Sequence, residues 1–190
     1  LLSYDPYARA AYTVPVVVHV VHEYGSENIS DEQVYDAIMR LNEDFQMTND
    51  DLANTIPTFA GITGNTDVEF KLATKDPNGQ CHKGITRTYM PGGGAHDTGD
   101  NGDIRDAVNA AHGVWPQNKY MNIFVVKSIA GSAAYTNKPG NWYNASGNGG
   151  SIYMGHSVMG STGTSSMSNR HILSHEVGHW LNLSHCWGDN

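Results

Sequence analysis

Four histidines and a glutamate crowd into sixteen residues near the end of the chain, HILSHEVGHWLNLSHC (171–186). Placed on a helix at about 100° per residue, His175 and His179 fall one turn apart on the same face, and Leu173, Val177, Trp180 and Leu181 lie opposite. Such a helix buries one stripe and presents two imidazoles together, which suits a shared divalent ion with nitrogens at ~2.0–2.1 Å. The third ligand is expected from His185. From His171 to His179 spans about 12 Å of helix axis, too far for three rings to meet one ion. His185 can return to it if the helix ends soon after Leu181, and Asn182 is suited to the turn because asparagine takes the left-handed conformation at modest cost. Gly178 flanks the histidine face and leaves room for substrate or backbone. Glu176 lies about 100° round from His175, so its carboxylate flanks the ion without having to bind it. That is the position of a general base for hydrolysis by metal-activated water, with no covalent intermediate. The alternative is a non-catalytic or structural zinc-binding module, closed by Cys186 as a fourth ligand. Against it, His185 and Cys186 are adjacent and project differently, and a closed site has no use for Glu176.

Elements must hold this segment in place. Val14 to His22 is rich in β-branched residues and predicts a buried strand, with Pro15 near its start. A helix follows, in which Ser30 and Gln33 fit a capping box and Val34, Ile38, Leu41 and Phe45 recur on one side. Residues 68–75 alternate Val68, Phe70 and Leu72 with Glu69 and Lys71, and DPNG (76–79) turns the chain. Further strands are predicted over 121–129, 131–136 and 150–157, and the histidine helix is predicted to begin near Ser166 or Ser168. The glycine-rich stretch 91–103 reads as a solvated loop, and its Asp97, Asp100 and Asp103 lack EF-hand spacing.

Composition narrows the function. A length of 190 residues suits one domain, and a net charge of −8 with only 11 Lys and Arg excludes a phosphate-backbone partner. The longest apolar run, Val14 to Val21, is broken by His19 and is too short to span a bilayer. With 21 Gly and 16% charged residues the chain reads as loop-rich and secreted, and its first residues lack the basic start and apolar core of a signal peptide. Cys81 and Cys186 can bridge, remain free or pair beyond the chain. His19, His22, His82, His96, His112 and His156 show no ligand spacing and are expected to be structural.

The motif His-Glu-x-x-His-x-x-Asn-x-x-His, here HEVGHWLNLSH, resembles the long zinc motif of the metzincin metalloproteases and in particular their pappalysin branch. LATKDPNGQCHKGITR, VWPQNKYMNIFVV and AYTVPVVVHVVH are similar to that branch as well, so the likeness covers most of the chain. It implies an α+β fold in which a twisted mixed β-sheet packs on two long helices, the second carrying the first two ligands near the C-terminus of this chain. It also implies Zn2+ on His175, His179 and His185, with Glu176 as the base. A peptide strand would pair antiparallel along Gly131, Ser132, Ala133, Ala134 and Tyr135. Two departures matter. Asn182 stands where the family has Gly, and the chain stops at Asn190, before the family's methionine turn, a tyrosine near the metal and the base of the specificity pocket. Residues 1–190 are therefore expected to form a single metalloprotease catalytic domain lacking its C-terminal subdomain. Met47, Met90, Met121, Met154, Met159 and Met167 are scattered, and none reads as that turn. The resemblance further implies secretion as a zymogen, with structural Ca2+ and disulfides in the missing part and Cys186 pairing downstream. The expected function is a secreted zinc-dependent endopeptidase acting on protein or peptide substrates, with its own C-terminal portion as a further partner and no nucleic-acid or membrane partner.

Overall fold

The β-branched run forms β1 (Tyr12–His22); the computed structural model describes residues 12–98, 101–138 and 150–188. Val16, Val18 and Val20 point to one face, Val17 and Val21 to the other, and all are fully buried. A strand covered on both faces belongs inside a sheet with parallel neighbours. Its first half pairs with β2 (Val68–Leu72), its second half with β3 (Ile85–Tyr89), and its other edge with β5 (Met121–Val126), all parallel. β8 (Ser151–Gly155) lies parallel to β5, and β7 (Ala134–Thr136) closes the edge antiparallel to β8, making a mixed six-stranded sheet. A two-stranded ribbon joins β4 (His96–Asp97) to β6 (Ile129–Ala130).

Two helices cover the face lined by Val16, Val18 and Val20. α1 (Asp31–Gln46) starts at Ser30, whose hydroxyl accepts from the Gln33 amide at 3.2 Å, and buries Val34, Ala37, Ile38 and Leu41. A short α2 (Pro57–Ala60) lies between it and β2. α4 (Ile172–Trp180) sinks Leu173 and Val177 into the same core, beside Ala134 of β7. On the opposite face α3 (Gly102–His112) brings Ile104 and Val108 against Val21, Phe124 and Tyr153. The expected architecture is present: a mixed sheet packed against helices, with the histidine-bearing helix towards the C-terminus. Only α1 is long, at 16 residues against 9 for α4. Among the described residues, no helix is long and apolar enough to cross a membrane.

Several local expectations need correction. Ser30 caps α1, but Gln33 does not complete the capping box. Its Nε2 donates to the carbonyls of His156 and Met159, each at 3.0 Å, and its Oε1 accepts from the Thr164 amide at 3.0 Å. Loop 156–164 therefore lies tight on α1, and a Cβ on Gly160 (φ 75°) would sit 2.6 Å from Asp36 Oδ2. The described part of 91–103 is only partly the solvated loop expected, since Gly93, Gly94 and Asn101 are buried. Gly94 (φ 72°) is buried, and a Cβ there would meet Val21 and Val126 at 3.1 Å, so the glycine that erases periodicity serves close packing. Asp97 and Asp103 are exposed, and Asp100 lies outside the described residues. Cys81, whose backbone pairs with that of Lys75 across the 76–79 turn, and Cys186, beyond α4, are both free thiols and exposed, so no disulfide joins them.

Candidate metal and catalytic site

α4 begins at Ile172, later than the serines at 166 and 168 suggest. Residues Met167–Asn169 form one separate 3-10 turn, and the helix is launched by the His171 carbonyl, which accepts from the His175 amide at 3.0 Å. The His171 ring is committed elsewhere. Its Nδ1–H donates to Asp44 at 2.9 Å, and its Nε2 stands 3.0 Å from Asp51 and 2.9 Å from Arg170 Nε. Nε2 thus has a partner when protonated, donating to Asp51, and when neutral, accepting from Arg170. Partial burial alone would lower the His171 pKa; the hydrogen bonds to Asp44 and Asp51 overcome it and raise the pKa. Arg170 pairs with Asp51 at 2.6 Å, and the Ser174 hydroxyl donates to Asp44. His171 is a tether, and α1 is what it ties down.

The far end of α4 supplies the reversal that a third ligand needs. Asn182 adopts the left-handed conformation (φ 68°), and the Leu183 amide donates back to Gly178 O at 3.0 Å. Leu181, expected in the buried stripe, is instead the cap residue and 42% exposed. The turn brings His185 back to the helix. His179 Nε2 lies 3.1 Å from His175 Nε2 and 3.1 Å from His185 Nε2, and the third edge is 3.3 Å. Nitrogens bound at ~2.0–2.1 Å to a tetrahedral centre stand about 3.3 Å apart, so the triangle has the dimensions of a metal site. The tautomer agrees. His179 Nδ1 is 2.8 Å from Leu183 O, which can only accept, so Nδ1 carries a proton and Nε2 is the nitrogen left to face a metal. Burial, with the neighbouring His179, lowers the pKa of His175 and favours its neutral, ligating form. His185 stacks on Trp187 at 4.8 Å. Among the described residues, these three histidines are the group able to hold a metal ion; Cys186 is not in it, although it lines a recess that the three histidines also border.

Glu176 is 5% exposed. Its Oε2 accepts from the Thr136 hydroxyl at 2.7 Å, and its Oε1 takes no hydrogen bond from the described residues. Burial raises its pKa, opposed by the Thr136 hydrogen bond and by His179 and His185. A cation on the three imidazoles would act in the same direction as these opposing groups, towards the carboxylate.

Glu176 opens with the histidines onto a cleft of about 470 Å³, whose other wall is Ser132 to Thr136 and Lys138. Of the run expected to bind substrate, Ser132, Ala133, Ala134 and Tyr135 border the cleft and Gly131 does not. Only residues 134–136 are strand; Gly131 (φ 80°) and Ser132 form a turn in which the Ser132 hydroxyl donates to Ala134 O at 2.5 Å. The Tyr135 ring turns to the opposite face of the sheet and stacks on Tyr153 at 5.2 Å. Thr136 and Lys138, whose Nζ donates to Ser184 beside His185 at 2.9 Å, are site residues that spacing does not reveal. The signal for Thr136 is weak but present: it follows Ala134 at the strand period, so a polar side chain falls on the core-facing side. The other six histidines each have a hydrogen-bond partner. His19 is the extreme case: fully buried between Thr86 at 2.8 Å and Asn122 at 3.0 Å, it has its pKa pushed down to about 4 by burial.

A helix-borne histidine cluster beside a mixed sheet defines the metzincin-like class, and comparison with known proteins agrees. The family model for M43 peptidases, described as pregnancy-associated plasma protein-A, matches residues 103–190. Mirolysin in complex with a compound numbered 9 is 34% identical, with a TM-score of 0.83 over 96% of this chain and 67% of its own. Mature mirolysin of Tannerella forsythia in complex with a cleaved peptide is 34% identical, with a TM-score of 0.85 over 96% of this chain and 67% of its own. A promirolysin mutant of the same organism, with a glutamate replaced by alanine, is 33% identical, with a TM-score of 0.82 over 95% and 59%. No curated protein sequence matches. The chain belongs to the M43 family of metzincin-like metalloproteases.

Proposed function

We propose that residues 1–190 belong to the catalytic domain of a secreted zinc-dependent endopeptidase of the pappalysin branch. His175, His179 and His185 hold Zn2+, and Glu176 is the general base. The observation that carries this reading is the triangle of Nε2 atoms, 3.1, 3.1 and 3.3 Å on its edges, with a buried carboxylate on the next residue of the same helix. Three histidine ligands are a catalytic zinc set, which would leave a position for water. When bound, zinc lowers the pKa of water towards ~7 and polarises the carbonyl to be attacked. Glu176 Oε1 would be the group to take up a proton from the attacking water and return it to the leaving amine. Ser132 to Tyr135 line the cleft beside Glu176 and the histidines, and an extended peptide lying in it would pair antiparallel along this run. The mirolysin complex with a cleaved peptide supports a peptide substrate, and its pro and mature forms, with the loop-rich composition here, support secretion as a precursor.

Zinc titration and cleavage of a quenched fluorescent peptide mixture test the reading together. One zinc per chain is expected, and Glu176→Ala is expected to keep zinc and fold while losing roughly 10²–10⁴-fold in rate. Cleavage at the parent rate by Glu176→Ala rules out its role as base. Zinc binding with no cleavage of any peptide by the parent chain favours the non-catalytic module instead.

A further inference from the structure

Thr136 reaches the carboxylate of Glu176 from across the cleft, from a different layer of the fold. Its Oγ1 is 2.7 Å from Glu176 Oε2 and 2.9 Å from the main-chain oxygen of the same residue. The hydroxyl has one proton and faces two acceptors of Glu176, so it donates to the nearer, Oε2, or divides the bond between the two. From this geometry we propose that Thr136 is a positioning residue for Glu176, holding Oε2 so that Oε1 faces the reacting water. The inference rests on the reading of Glu176 as the base.

Three features of the fold support it. Side chains on a strand alternate, so Thr136 shares its face with Ala134, which packs into the core with Leu173 and Val177 of α4. Thr136 is thereby aimed at α4 by the register of β7 on β8, in which Thr136 lies opposite Ile152. A one-residue slip would replace its hydroxyl with the ring of Tyr135 or the amide of Asn137. Glu176 is buried, and a glutamate otherwise has several rotamers to choose among, so one anchored oxygen removes freedom that would blur the other. Finally, β7 is also the strand along which a peptide would pair, so pairing stiffens the element that holds the base. The effect of Thr136 is then expected on turnover more than on binding.

The test compares Thr136→Val, which keeps shape and loses the hydroxyl, with Thr136→Ser, which keeps the hydroxyl, in the zinc-loaded full chain. Thr136→Val is expected to lower kcat about 10- to 100-fold, the range for orienting groups behind a metal site, with KM changed less than about twofold. Thr136→Ser is expected to restore kcat, and Tm and zinc stoichiometry are expected to match the parent in both. Thr136→Ala, which cannot overpack, is expected to reproduce the loss. Crystal structures of the same variants supply a readout independent of turnover: the Glu176 carboxylate leaves its parent position in Thr136→Val and keeps it in Thr136→Ser. An unmoved carboxylate in Thr136→Val, or a parent kcat in that variant while Glu176→Ala is inactive, overturns the proposal. Parent-like cleavage by Glu176→Ala instead overturns the underlying reading of the base.

Discussion

The two ends of α4 use the same side chain for opposite purposes. At the first turn, His171 lies between Asp44 and Asp51, and its neighbours favour an imidazolium. Further along the helix and beyond its end, His175, His179 and His185 turn their Nε2 atoms towards one another, and a main-chain carbonyl holds a His179 proton on the far nitrogen. The difference lies in the partner rather than the residue. Carboxylates accept protons and so hold an imidazole charged and fixed, whereas a carbonyl on one nitrogen leaves the other free to bind a cation. One end anchors the helix to α1 and the other builds the site.

Mutations at each end should separate these roles, and the largest effect belongs to the site. His179→Ala is expected to weaken metal binding by more than about 100-fold, since loss of an outer partner alone costs 10- to 100-fold, with the metal-free Tm nearly unchanged. Calorimetric titration reads this; an equal loss from His171→Ala would erase the distinction between the ends. Asn182→Val forces a β-branched residue into the left-handed region at a cost of about 1–2 kcal/mol. It is expected to lower Tm by several degrees and to weaken metal binding, because the turn returning His185 is strained. Next comes His171→Ala, whose loss, discounted for a side chain 45% exposed, is about 1 kcal/mol, or about 2–4 °C in Tm, with metal affinity intact. Its pH dependence has a defined sign. The folded pKa of His171 is raised, so the stability from its extra proton is complete below the unfolded value near 6.5 and is lost as pH rises through the folded value. The Tm deficit of His171→Ala is therefore expected to shrink between pH 6 and pH 8.5, without vanishing, because neutral His171 retains Asp44 and Arg170. Smallest is Asn182→Gly, expected to stabilise by a few tenths of a kcal/mol and to leave metal binding unchanged.

What the sequence discloses follows the range of the interactions involved. The convergence of His175, His179 and His185 depends on helix pitch and one left-handed residue, all within eleven positions, and is legible without coordinates. The strand β1 is legible for the same reason, from a run of valines. The start of α4 is not. Local capping rules favour Ser166 or Ser168, but the first turn is set by His171 and Ser174 meeting Asp44, 127 and 130 residues away in the chain. Thr136 escapes notice likewise, since its partner is 40 residues distant and its own strand is three residues long. β3 and α3 carry patterns too short or too interrupted to announce themselves, and the glycines of 91–94 look like solvent-exposed chain because tight packing and flexibility both call for a missing side chain.

The carboxamide of Gln33 has a consequence for how the molecule breathes. It serves the main-chain groups of His156, Met159 and Thr164 across more than 120 residues of sequence, so the first turn of α1 cannot fray without releasing that loop. The two form one unit of opening. In hydrogen–deuterium exchange the Thr164 amide, although outside any helix or strand, is expected to be protected to the same degree as the amides at the middle of α1, and Gln33→Ala is expected to free it first.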